Sequence, residues 1–192
     1  MILASPWWVN LFALVPIAGY IFWRNRKLSL DKTTLAAGFI FGVAFGFVEA
    51  VVVVYLRSAS GLLPASFGTL AQAINHSGGV QPVSQVLGAL PESLVGIERL
   101  REAATIVMLL SVAILGAKNA LGRVALFLWT FATWDIAYYA GLWLTLRWPA
   151  SLGELDVLFL IPQPWISQVW FPLAVSALTM AAVIFSRSPA SD

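Results

Sequence analysis

The chain has no cysteine and one histidine, and only 10% of its 192 residues are charged. Without cysteine there can be no disulfide, thiolate metal site, iron–sulfur cluster or cysteine nucleophile, and the redox compartment is left open. The lone His76 excludes a bis-histidine haem and any multi-histidine zinc or copper site supplied by this chain alone. No haem, iron–sulfur or zinc cofactor is therefore expected, and the chemistry left to the chain belongs to carboxylates, tyrosines, arginines and backbone. A formal charge of +2, with Lys and Arg scattered along the chain, also argues against a nucleic-acid partner.

What is present is apolar. Hydrophobic residues make up 60% of the chain and the mean hydropathy is +0.86, while a soluble domain usually carries about 25% charged residues. We expect an all-α integral membrane protein forming a single transmembrane domain over residues 1–192. Five runs approach the roughly 20 residues that cross the hydrocarbon layer: 5–23, 34–56, 91–117 with its apolar part at 102–117, 123–146 and 165–186. The first run has neither a basic leader nor a small-residue cleavage site and reads as a retained helix. Arg24, Arg26, Lys27, Lys32, Lys118, Arg123 and Arg187 fall on one side of these runs; Arg57, Arg99, Arg101 and Arg147 fall on the other. The positive-inside rule then puts the N-terminus outside and the C-terminus in the cytoplasm, with a bacterial cytoplasmic membrane as the expected location.

Two outer segments, 57–90 and 147–164, are expected to form short interfacial or re-entrant helices. In the second, Ser151 and Glu154 have capping-box spacing, and an apolar stretch follows that ends at Pro162 and Pro164. Pro91 and Glu92 mark the start of the third long helix, which at ~1.5 Å per residue outruns the bilayer core and so projects outward or tilts. Trp7, Trp8, Trp148 and Trp165 lie near the same outer boundary, where indoles prefer to sit.

Charges inside apolar runs cost about 2.5–3.5 kcal/mol each on insertion scales, so each needs a partner or a purpose. Glu49 stands three residues beyond a Gly38, Gly42 and Gly46 seam, a spacing that lets another helix backbone approach closely. We expect that seam to serve a second copy or another membrane subunit, besides the lipid that surrounds the protein. Glu98, Arg101, Glu102 and Thr105 form one helical stripe. Within it Glu98 and Arg99 read as a solvated, self-paired helix end, while Arg101 and Glu102 face the bundle. Asp135, Tyr138 and Tyr139 share a face in the middle of the fourth run, too deep for the acid to reach water. Asp156, Arg57 and Arg147 complete the set at the outer ends.

Glu49, Arg101, Glu102, Asp135, Tyr138, Tyr139, Asp156, Arg57 and Arg147 are thus the expected ligand or proton site, opening outward. Glu49, Glu102 and Asp135 are candidates to hold a hard metal ion. Binding or transport of an ion, proton or small solute is the expected activity. Two other readings compete: a subunit, assembly factor or scaffold of a larger membrane complex, and an intramembrane enzyme acting on a quinone- or lipid-like substrate, with or without a carboxylate-bound metal.

Overall fold

A computed structural model of the chain describes residues 3–26, 28–59 and 92–187. The architecture is mostly helical. A short strand β1 (Ala4–Ser5) leads into a 3₁₀ helix (Trp7–Leu14) that runs on as α1 (Val15–Arg26), followed by α2 (Lys32–Ala59) and α3 (Glu92–Gly116). Next come α4 (Ala120–Leu146), β2 (Leu155–Phe159), β3 (Trp165–Gln168) and α5 (Trp170–Ser186). The helices thus cover the five expected runs within a few residues.

Their ends carry the chemistry that fixes them. Asp31 caps α2, its carboxylate accepting from the Thr34 N–H and the Thr34 hydroxyl, both at 2.7 Å. Those hydrogen bonds, the side-chain one foremost, hold the exposed Asp31 carboxyl below its ordinary pKa. Asn119 caps α4 by accepting from the Gly122 N–H at 2.7 Å, and α4 closes at Arg147 in the left-handed conformation, φ 53°.

α4 is the central element, packed by α2, α3 and α5. Its contact with α2 runs along the glycine seam. A Cβ on Gly42 would lie 2.8 Å from Thr133 Cβ and 3.0 Å from the Thr130 carbonyl oxygen, and one on Gly46 would meet the Trp134 carbonyl oxygen. No side chain fits there, so the seam expected to receive a second subunit is filled by α4 of the same chain. Trp129 adds a hydrogen bond across the seam, from Nε1 to the Leu35 carbonyl at 2.9 Å. A core of Trp23, Leu28, Leu30, Leu126 and Val183 joins α1, α2, α4 and α5 at the end rich in Lys and Arg. Arg187 fastens that end by donating from Nε to the Leu30 carbonyl at 2.9 Å.

The all-α expectation needs one correction. Residues 155–168 form a hairpin that, with β1, makes a three-stranded antiparallel sheet ordered β1-β3-β2. Ser151 and Glu154 do engage as their spacing implies: Glu154 Oε1 accepts from the N–H groups of Ala150, at 2.9 Å, and Ser151, at 3.3 Å. They close a turn, and no helix follows. Val157 and Phe159 favour extended backbone, and β3 supplies ladder partners through Leu155↔Gln168 and Asp156↔Ser167, so sheet pairing displaces the expected interfacial helix. The other expected interfacial segment, from residue 60 to residue 90, lies outside the described residues.

Among the described residues one helix, Lys32–Leu56 of 25 residues, is long and apolar enough to cross a membrane. Trp170–Ser186 is apolar but shorter.

Candidate ligand cavity

On the side of α4 away from the seam the helices do not close up. They leave a partly open cavity of ≈ 580 Å³, walled by α3, α4, α5, the 3₁₀ helix and the hairpin. Its rim reaches the surface at Phe12, Ala103 and Ile161, each of which lines it while being exposed. Its wall is apolar and aromatic for most of its extent. Phe131 lies 5.3 Å from Trp134 and 6.2 Å from Phe159 between ring centroids; Trp134 stacks on Tyr138 at 6.2 Å, and Phe159 meets Trp165 at 5.2 Å.

Most of the polar residues singled out in the sequence line this cavity: Glu49, Arg101, Glu102, Asp135, Tyr138, Tyr139 and Asp156. They act in separate small groups. Arg101 on α3 forms ion pairs with Glu49 on α2 and with Glu98 one turn away, and Thr105 donates to Glu49 Oε1 at 3.0 Å. Glu102 Oε2 accepts the Leu160 N–H at 2.8 Å, so an acid of α3 holds the end of β2. Asp135 Oδ2 accepts from the Ser176 hydroxyl of α5 at 2.8 Å. The Tyr139 hydroxyl donates to Asp156 Oδ2 at 2.9 Å, linking α4 to the hairpin.

Several expectations change here. Among the described residues no group of three or more His, Asp or Glu side chains could hold a metal ion. Glu49, Glu102 and Asp135 face one cavity, yet each is claimed by a different partner, an arginine, a backbone amide and a serine, so no shared set of ligands forms. Arg147 stands apart, with its guanidinium over the Trp143 ring 4.3 Å from the centroid. The Arg57 side chain lies outside the described residues. Tyr138 shares the cavity with Asp135, and the Tyr139 hydroxyl has Asp156 as its partner and not Asp135.

Glu98, which reads from the sequence as a solvated helix end, instead lines the cavity beside Arg101. It lies on α3 before the apolar part of that helix. Its burial, with Glu102 adding to the effect, pushes its carboxyl up to about 7. Ser176 and Thr179, both buried and lining the cavity, are site residues that the sequence reading lacks; their i, i+3 spacing in an otherwise apolar helix is the signal that could have found them. The hairpin residues Phe159 and Leu160 carry no such signal, because their role depends on a chain reversal.

A comparison with protein-family models, curated proteins and solved structures returns no match, so the functional reading rests on the chemistry of the cavity.

Proposed function

We propose that this chain is a membrane-embedded helical protein whose cavity binds an amphipathic small molecule, with an apolar body against the aromatic wall and a polar head among the acids, Arg101 and the tyrosines. One observation carries the reading. A single cavity of ≈ 580 Å³ combines an extensive apolar wall with polar groups drawn from α2, α3, α4, α5 and the hairpin. That volume is within the ~300–1,000 Å³ range of small-molecule sites. A pathway for bare ions would need a continuous polar lining, and here the polar groups are isolated among rings.

Membrane embedding is supported by composition and by apolar side chains exposed on several helices, among them Ile40, Leu100, Leu115 and Phe185. The asymmetry of Lys and Arg supports an orientation in which the hairpin and the start of α3 face outward. A shallow groove continues from the cavity along α1 and α4, sharing Val15 and Leu128 with it and reaching Arg26. That path suits the tail of a ligand drawn from lipid.

The test is organic extraction and mass spectrometry of the purified protein. The expected result is about one equivalent of an amphiphile per chain, lost in Ala103→Trp, which fills the cavity mouth from an exposed position. If wild type and variant release the same compounds in the same amounts, the cavity is not a binding site.

A further inference from the structure

The residues lining the cavity include five carboxylates, on Glu49, Glu98, Glu102, Asp135 and Asp156, against one guanidinium, on Arg101. Arg101 is already engaged by Glu49 and Glu98, and Asp156 receives the Tyr139 hydroxyl. That leaves Asp135 and also Glu102, which has one backbone donor and feels the charges of Arg101 and Arg99. Asp135 is only 8% exposed, and among the described residues its one donor is Ser176 on Oδ2, while Oδ1 has none and no cation pairs with it. A carboxylate so deep, lacking a counter-charge, is costly unless something cationic or a proton joins it. Phe131, Trp134, Tyr138 and Phe159 line the same cavity as Asp135 and form one cluster of ring contacts. Aromatic faces beside acids form the environment that recognises ammonium groups, whose charge is attracted to the ring faces within about 6 Å.

We infer that the head group taken by this cavity is an organic cation, an ammonium carried on an apolar body, with Asp135 and Glu102 as its counter-charges. The inference rests on the cavity being the binding site proposed above. A free lipophilic amine and the ammonium head of a lipid share this chemistry. Protonation of Asp135 and Glu102 is the competing way to remove the charge, and it would leave the cavity indifferent to the sign of a ligand.

The experiment uses the full chain held in a nonionic amphipol, with tryptophan fluorescence as the readout because Trp134 and Trp165 line the cavity. Decyltrimethylammonium, decanol, decyl sulfate and dihexanoylphosphatidylcholine are titrated separately. The expected result is saturable quenching by decyltrimethylammonium at roughly ten-fold lower concentration than decanol, with decyl sulfate weakest. Asp135→Asn should remove that preference, read as the ratio of the decyltrimethylammonium and decanol concentrations at half-maximal quenching. Glu102→Gln, expected to reduce it, serves as the second variant should Asp135→Asn fail to fold. Equal binding of cation and alcohol, or an unchanged preference in both folded variants, overturns the cationic head while keeping the cavity as an amphiphile site. Saturable binding by none of the four overturns the site itself. Phosphatidylcholine binding as tightly as decyltrimethylammonium supports the inference and points to a lipid head as the source; its failure beside a tight decyltrimethylammonium supports a free amine.

Discussion

The two faces of α4 are built from the same helix and behave in opposite ways. Toward α2, small residues meet backbone, no space is left, and the indole N–H of Trp129 finds the Leu35 carbonyl. Toward α3 and α5, large aromatic side chains hold the elements apart, and the indole N–H groups of Trp134 and Trp165 have no partner among the described residues. Close packing of the two helices comes from van der Waals fit, which glycine allows and bulky rings prevent. One face is therefore closed, and the other leaves a cavity at some cost in unsatisfied polar groups.

The contrast is broken most directly at the seam. Gly46→Leu forces a side chain into the Trp134 carbonyl and should cost at least about 3 kcal/mol, the upper part of the overpacking range. Thermal unfolding in mild detergent measures it.

On the cavity face the largest effect should come from Arg101→Ala, which strands buried Glu49. We expect about 3 kcal/mol, the low end for breaking a buried pair, because the Arg101 side chain keeps 26% of its exposure. Adding Glu49→Gln should restore most of that loss, and a double-mutant cycle by thermal unfolding gives the coupling. Failure of the second change to help would mean that Arg101 acts through packing alone.

A smaller effect is expected from Tyr139→Phe, which removes the hydroxyl donated to Asp156, itself 1% exposed. Losing that donor should cost about 1–2 kcal/mol. The change should also loosen the hairpin, read as faster amide exchange in residues 155–168.

Away from both faces, a glycine should behave as its helix propensity dictates. Gly96 on α3 has nothing within 4 Å of the position a Cβ would take, so Gly96→Ala should stabilise by about 0.5–1 kcal/mol, opposite in sign to the change at Gly46. The same thermal unfolding measurement compares the two, and a loss at Gly96 would mean that α3 meets a neighbour there.

The smallest effect concerns the start of α2. The folded state holds the Asp31 pKa below its unfolded value, so its contribution is complete above about pH 4 and is lost as pH falls through the lower folded value. Wild type should therefore exceed Asp31→Ala in stability at pH 6, and the gap should close on acidification. A gap independent of pH would show that the charge of the cap contributes nothing.

The long helices are legible in the sequence because apolar length and punctuation are local properties. The charges flanking each run mark boundaries that the structure keeps within a few residues. Much of the cavity is legible too, since a charged residue in an apolar run has few places to go except inward. Glu98 departs from its sequence reading because its neighbour Arg99 offers a local pair, whereas the observed partner is Arg101, shared with Glu49 on another helix. The hairpin departs from it because the five residues 155–159 do not separate strand from helix by pattern alone; the ladder with β3 and β1 decides it.

By itself the sequence determined a chain rich in apolar helices, the absence of thiol and multi-histidine chemistry, and which acids had to be explained. Only the tertiary structure decided that the glycine seam is spent within the chain, that the acids face one cavity without sharing a metal, and that a hairpin rather than a helix covers one end. Helix length and burial preference are written in neighbouring residues; the pairing of Glu49 with Arg101, Asp135 with Ser176 and Tyr139 with Asp156 spans tens of residues. Which donor reaches which acid follows from how closely the helices can approach, and that is set by the packing of whole faces.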